Sequence, residues 1–161
     1  MVSENTDSRK ASELRAEAAD ALDRRDDGNR LAALYGLTPK VESAIVAAIR
    51  EGAEDRCRAL VAPLHPADQA DLLERLPRPQ SAALVRMLGD GLDAEALAYL
   101  GETTRDEIVD VMGMAALARQ LPDLDTDDAV NIIEELEQDE IDDVLAALPA
   151  EDRVLVEEGL A

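Results

Sequence analysis

The stretch that decides the fold is LHPADQADLLERL at residues 64–76, followed after Pro77 by RPQSAALVRML at residues 78–88. Proline is tolerated in the first turn of a helix, so Pro66 predicts where the first helix begins. Pro77 interrupts the Leu-rich pattern, which resumes directly after it. The stretch therefore predicts two short antiparallel helices that form a hairpin.

This hairpin pattern recurs twice further along the chain. LDTDDAVNIIEEL and QDEIDDVLAAL, at residues 124–136 and 138–148, repeat it at an offset of 60 without a gap. LDAEALAYL and TRDEIVDVM, at residues 92–100 and 104–112, form a middle copy at an offset of 24. The chain is therefore expected to consist of repeated helical hairpins.

Repeated hairpins of this kind predict an all-α fold. A single hairpin cannot bury its apolar stripe alone, so neighbouring hairpins must stack into a curved array. Residues 114–121 predict one further short helix between the second and third hairpins, and this helix ends at Pro122. We expect a right-handed superhelix, or α-solenoid, of short antiparallel helical hairpins.

The region before the repeats is also predicted to be helical where its apolar residues are periodic. Thr38 and Pro39 fit the N-cap and first positions of a helix. The apolar positions at spacings of three and four are Leu31, Leu34, Val41, Ala44, Ile45, Ala48 and Ile49. Residues 1–29 hold few apolar side chains, which predicts a flexible or partly helical extension. The helical-repeat domain is therefore expected to span residues 30–161.

Composition supports the all-α class. Apolar residues make up 47% of the 161 residues, but Tyr35 and Tyr99 are the only large aromatic residues. Residues that favour strands are correspondingly sparse. No apolar run approaches the roughly 18 residues that a membrane-spanning helix needs, and the N-terminus has no apolar signal core. We therefore expect a chain located in the cytosol that does not itself insert into a membrane.

The charge is strongly negative and unevenly distributed. The formal net charge is −21, and the segment from Asp123 to Ala161 holds 15 acidic residues against one basic residue, Arg153. Nucleic acids and anionic lipids bind through Lys and Arg that displace counterions, so neither is expected as a partner. The acidic surface favours cations or basic partners, and a hard divalent cation would offset its self-repulsion.

The sequence carries no catalytic motif. It has no Gly-rich phosphate loop and no H-E-x-x-H zinc motif, and His65 is its only histidine. Cys57 is its only cysteine, so an internal disulfide is excluded and a plain buried or half-buried thiol is expected. We predict no catalytic residues, and therefore no enzyme.

One calcium-binding alternative needs separate treatment. Residues 123–134 place acidic or polar side chains at most ligand positions of an EF-hand calcium loop. The position that requires Gly is occupied by Asp128, and the repeat predicts a helix over 126–136. In that helix Asp125 is the N-cap, and Asp127 and Asp128 lie in the first turn near the positive end of the helix dipole.

The pattern L-H-P-x-D-x-A-D-L-L-E-x-L-P, with the Leu-rich hairpins after it, resembles the N-terminal domain of MgtE magnesium transporters. The resemblance covers residues 59–160, while residues 1–58 match less well. It implies a cytosolic regulatory domain on the inner face of the bacterial inner membrane, within a homodimeric magnesium channel. In that family Mg²⁺ bridges acidic residues of this domain, the CBS domains and a connecting helix, and so holds the pore closed.

The resemblance also implies the site residues. Glu95, Asp127 and Asn131 match the positions that contact Mg²⁺ in the family, although Asn131 brings an amide oxygen without charge where the family can carry a carboxylate. Because the CBS domains are not in this chain, we expect weak and incomplete sites and an excised fragment. The alternative function is a helical-repeat interaction scaffold, like the flagellar switch protein FliG, without ion sensing.

Overall fold

The computed structural model describes residues 36–161, and the predictions for residues 1–29 and for Leu31 and Leu34 lie outside it. Within the described range every regular element is helical, as the repeat pattern predicted. The ten α-helices are α1 Pro39–Glu51, α2 Glu54–Val61, α3 Pro66–Arg75, α4 Arg78–Leu88, α5 Ala94–Tyr99, α6 Glu102–Met112, α7 Met114–Gln120, α8 Thr126–Glu134, α9 Gln138–Ala147 and α10 Ala150–Leu160. The described part of the chain also contains two short 3₁₀ turns, Gly89–Gly91 and Leu121–Asp123.

The first helix begins and ends at residues whose chemistry explains both limits. The backbone N–H of Val41 donates to Oγ1 of Thr38 at 3.2 Å, and Pro39 follows the cap, as predicted. The helix ends at Gly52, which adopts the left-handed conformation (φ 66°) that residues with a Cβ rarely adopt. Local capping therefore determines where this helix begins and ends.

The limits of α3 also follow the predicted prolines, and α7 ends two residues before the proline that was predicted to stop it. His65 is the N-cap of α3, where its Nδ1 accepts from the backbone N–H of Ala67 at 3.1 Å. Pro77 separates α3 from α4, as expected. At the end of α7 the chain does not leave the helical path at Pro122 but continues through the Leu121–Asp123 turn. The prediction for α7 is confirmed to within one residue.

The helices pack mainly on helices two places away in the chain order. From Leu64 onward the most extensive contacts join α3 to α5, α4 to α6, α7 to α9 and α8 to α10. The first hairpin therefore stacks directly on the second, whereas α7 and the Leu121–Asp123 turn lie between the second and the third, and no repeat buries its apolar stripe alone. At the start of the described region, α1 packs on α2 and α2 packs on α4.

Residues that the repeat places in equivalent positions share the same burial. The first and third copies bury the pairs Leu72 and Ile132, Leu73 and Ile133, Leu84 and Val144, and Leu88 and Leu148. The middle copy buries Leu97, Leu100, Ile108 and Val109. Leu136 and Met112 are half-buried exceptions at the ends of their helices. The repeat therefore predicted the side chains of the core as well as the helices.

One contact between stacked helices is unusually close. A Cβ built on Gly159 of α10 would lie 2.5 Å from Cγ2 of Val130 in α8. The glycine therefore lets the last helix approach the third hairpin closely.

None of the helices between Gly36 and Ala161 has both the length and the hydropathy that crossing a lipid bilayer requires.

Cys57 is fully buried in α2, with its Sγ 3.7 Å from Sδ of Met87. Burial raises the pKa of this thiol. We expect Ellman's reagent to modify it at least about tenfold more slowly in the folded protein than in urea, because the thiolate is the reactive form. The free energy of unfolding should also fall above about pH 8.5, since the unfolded chain then releases a proton that the folded chain retains.

A matched variant tests the cause of the slow reaction. Ala59 is an exposed neighbour of Cys57 on the same helix. Moving the thiol there, in a Cys57→Ala, Ala59→Cys variant, should make the folded protein react about as fast as in urea. Equal rates for folded and unfolded wild type would show that the Cys57 thiol is accessible, contrary to its position.

Candidate functional site

The three residues predicted to contact Mg²⁺ all lie on the surface of the array. Glu95 occupies the first turn of α5 and is exposed. Asp127 and Asn131 are exposed on α8, four residues and therefore about one helical turn apart. All three are accessible to an ion or to a partner protein.

The start of α5 is held in place by a hydrogen-bond chain through a buried glutamine. The backbone N–H of Glu95 donates to Oδ1 of Asp93, the N-cap of the helix, at 3.0 Å. The backbone N–H of Asp93 in turn donates to Oε1 of Gln69 at 3.1 Å. Nε2 of Gln69 donates to the carbonyl oxygen of Leu64 at 3.1 Å. The position of Glu95 therefore depends on the junction before α3.

Packing on either side of Glu95 directs its carboxylate outwards. Its neighbours Ala94 and Ala96 are buried, and Leu97 is completely inaccessible. One turn later Tyr99 is 55% exposed, and its ring meets the ring of His65 edge-on, with centroids 6.0 Å apart. The outer face of α5 therefore presents a carboxylate and an aromatic ring.

The start of α8 supplies further carboxylates. Asp125 occupies the N-cap position, as predicted, but its side chain accepts no capping hydrogen bond. Asp127 and Asp128 lie in the first helical turn. Because residues 126–134 are helical, they cannot form the calcium loop of an EF-hand over 123–134. The EF-hand alternative is therefore wrong.

Together α5 and the start of α8 form a cleft of about 330 Å³, which we call the acidic cleft. It is lined by Glu95, Ala98, Tyr99, Asp125 and Asp128. Of the three predicted contact residues, only Glu95 lines it. Asp127 and Asn131 are on the same helix as Asp125 and Asp128 but are not part of the lining.

Comparison with known protein families identifies the domain. The family model for the MgtE intracellular N domain matches residues 64–161, which is more than half of the chain. The chain belongs to this family. No curated protein matches the chain in sequence.

The match begins just before α3 and runs through α10, so it contains all three hairpins and the acidic cleft. Helices α1 and α2 precede the matched region. MgtE N domains are parts of magnesium transporters, and membership in the family suggests a regulatory domain. The family is not a known enzyme family. The predicted family is confirmed.

In this MgtE N domain one arginine locks α8 against α5 and α6. Nε and Nη2 of Arg105, in α6, donate to the carboxylate of Glu135 at 2.9 and 2.6 Å. Nη1 of the same residue donates to the carbonyl oxygen of Leu97 at 3.3 Å. This two-pronged ion pair is largely shielded from solvent, which makes it stronger than an open surface pair. It fixes the end of α8 and so positions the wall of the acidic cleft.

The donor chemistry of the cleft suits a hard cation, but the described residues do not complete a coordination shell. Carboxylate and amide oxygens are the ligands that Mg²⁺ prefers in proteins. Between Gly36 and Ala161, however, no three His, Cys, Asp or Glu side chains converge closely enough to hold a metal ion. Mg²⁺ commonly keeps several waters and uses only one or two carboxylates. The described residues therefore do not form a complete metal site by themselves.

The sequence pattern predicted Asp125 and Asp128 as helix-start residues, or as positions of a calcium loop, and did not predict a cleft that they share with Glu95. The repeat contained a usable signal, because it gives the starts of α5 and α8 equivalent positions in the second and third hairpins. The extra helix α7 between the hairpins obscured this relation.

Proposed function

We propose that this chain is the cytosolic regulatory domain of a magnesium transporter, which senses Mg²⁺ through its acidic residues and so gates the pore. The membership in the MgtE N domain family carries the proposal. The proposed contact residues are Glu95, Asp127 and Asn131. To these we add Asp125 and Asp128, because they line the acidic cleft with Glu95.

Electrostatics supplies the sensing step. Three carboxylates around one cleft repel one another, and a divalent cation between them offsets that repulsion. Asn131 can contribute a neutral amide oxygen next to the carboxylate of Asp127. The ion therefore stabilises the arrangement that binds it, and the stabilisation grows with the free Mg²⁺ concentration.

The remaining ligands come from the rest of the transporter. We infer that CBS domains and a connecting helix of the full-length homodimer face this surface and complete the sites. Mg²⁺ then acts as a bridge between acidic surfaces that otherwise repel each other, which holds the pore closed. When the ion concentration falls, the bridges dissociate and the domain separates from its partners. In this scheme the chain works at the cytosolic face of the membrane.

Thermal melting tests the proposal on this chain alone. With weak, millimolar affinity, about 10 mM MgCl₂ should raise the Tm by about 3 to 5 °C over NaCl of equal ionic strength. Glu95→Gln should remove most of this increase, because it leaves the cleft with two charges. Asp127→Asn should reduce the increase only if the outer face of α8 also binds the ion. Asp55→Asn, which removes a fully exposed charge on α2, is the control and should respond like wild type.

Three other outcomes would contradict the proposal. An equal Tm in MgCl₂ and in NaCl of the same ionic strength would favour the interaction scaffold. Loss of the response in Asp55→Asn would indicate general charge screening rather than a site. Much tighter binding of Ca²⁺ than of Mg²⁺ would identify the chain as a calcium sensor.

A further inference from the structure

The outer face of the last helix carries two large apolar side chains. Val154 and Leu155 are adjacent in α10, and each is 52% exposed. Val156 is the single residue of this helix that is fully buried. Large apolar side chains that lie together at a surface indicate a contact with another element.

A small apolar pocket lies next to these side chains. Its volume is about 80 Å³, and it is formed where α10 meets the start of α8 and the end of α7. The apolar residues in its lining are Leu121, Pro122, Leu124, Ala129, Leu148, Leu155 and Val156, and Thr126 and Asp152 complete it. Leu155 belongs to both the pocket and the exposed face. We call this pocket together with Val154 and Leu155 the terminal apolar surface.

The terminal apolar surface lies within the most acidic part of the chain. The helices α9 and α10 carry Asp139, Glu140, Asp142, Asp143, Glu151, Asp152, Glu157 and Glu158. Arg153 is the only basic residue after position 122. Its guanidinium is directed to backbone carbonyl oxygens at the end of α9, including that of Leu145 at 2.7 Å. Within α10 itself the carboxylates near the apolar patch are Asp152, which lines the pocket, and the exposed Glu151, Glu157 and Glu158.

We propose that the terminal apolar surface docks an amphipathic helix whose apolar ridge is flanked by Lys and Arg. Charge complementarity selects this occupant, since a basic flank meets the acidic side chains of α10. A second copy of the chain would bring two acidic surfaces together and is disfavoured by like-charge repulsion. A helix suits the site because it continues the stacking of α8 on α10 and inserts an apolar side chain into the pocket. The inference is independent of Mg²⁺ binding at the acidic cleft.

The experiment uses the full chain and a fluorescein-labelled synthetic helix of Leu and Lys, whose binding is followed by fluorescence anisotropy. The same peptide with Glu in place of Lys is the negative probe. We expect the basic peptide to bind with about micromolar affinity at about 0.15 M salt and more weakly as salt rises. The acidic peptide should not bind. Binding should move the amide resonances of α8 and α10 in NMR spectra.

Matched variants separate docking from general attraction between opposite charges. A double variant, Val154→Ser, Leu155→Ser, should bind the basic peptide at least about tenfold more weakly, because it lacks the apolar anchor. Tyr99→Ser removes an equally exposed apolar side chain elsewhere and should leave the affinity unchanged. A triple variant, Glu151→Gln, Glu157→Gln, Glu158→Gln, should bind more weakly and with a smaller dependence on salt. All three side chains are exposed, so the variant leaves the core unchanged.

Two results would overturn the proposal. Equal affinity of wild type and the Val154→Ser, Leu155→Ser variant would show that the peptide binds only to negative charge. A wild-type dimer in analytical ultracentrifugation that this variant converts to a monomer would show that a second copy is the occupant.

Discussion

Replacing Leu97 by Ala is expected to lower the free energy of unfolding by about 3 kcal/mol, within the range for fully buried leucines. Leu97 is completely inaccessible in α5, a helix of six residues that is too short to be stable without packing. Its backbone carbonyl also accepts from Arg105. Urea unfolding followed by circular dichroism measures the change.

The chain contains a matched control for this prediction. Leu155→Ala makes the same chemical change at a side chain that is 52% exposed, and it should alter the free energy of unfolding by less than about 0.5 kcal/mol. Similar costs for the two variants would mean that α5 is not packed against the core. Because α5 carries Glu95, Leu97→Ala should also reduce the effect of Mg²⁺ on the Tm.

Replacing Gln69 by Leu is expected to cost about 2 to 3 kcal/mol, although the substitution makes the side chain more apolar. Gln69 is 3% exposed, and its amide bonds the backbone of both Leu64 and Asp93. Leucine would leave the carbonyl oxygen of Leu64 and the backbone N–H of Asp93 without these partners. Each unsatisfied group costs about 1 to 3 kcal/mol. Urea unfolding measures the total, and faster hydrogen exchange of the Asp93 amide locates the change.

An exposed glutamine provides the comparison. Nε2 of Gln138 donates to Asp142 one turn further along α9, and that pair is open to solvent. Gln138→Leu should therefore cost less than about 0.5 kcal/mol. If Gln69→Leu were equally mild, the hydrogen bonds of Gln69 would not position α5.

Most helix boundaries could be predicted because local chemistry determines them. Thr38 and Pro39 begin α1, Pro66 follows the N-cap of α3, and Pro77 separates α3 from α4. Each of these effects acts within a few residues of the chain, so a sequence pattern contains it. The repeat then extended the prediction to the core, because equivalent positions in stacked hairpins face the same neighbours.

The candidate site was less predictable than the fold. Glu95 was identified through the family resemblance, and it does line a cleft with other carboxylates. Asp125 and Asp128 line that cleft with it, while the role of Asp127 and Asn131, which the resemblance also implied, stays a prediction. All four lie within two turns of α8, where a rotation of about 100° per residue decides which side chain faces α5. A pattern of acidic residues does not contain that rotation.

The sequence by itself determined the all-helical class, most helix limits, the residues of the core, the family and the concentration of negative charge near the C-terminus. These follow from periodicity, capping and composition, which depend on residues near one another in the chain. Only the tertiary structure decided that Glu95 lines one cleft with Asp125 and Asp128, and that Val154 and Leu155 are exposed. Those facts depend on how helices about thirty residues apart pack and rotate against each other, and short-range patterns do not specify such contacts.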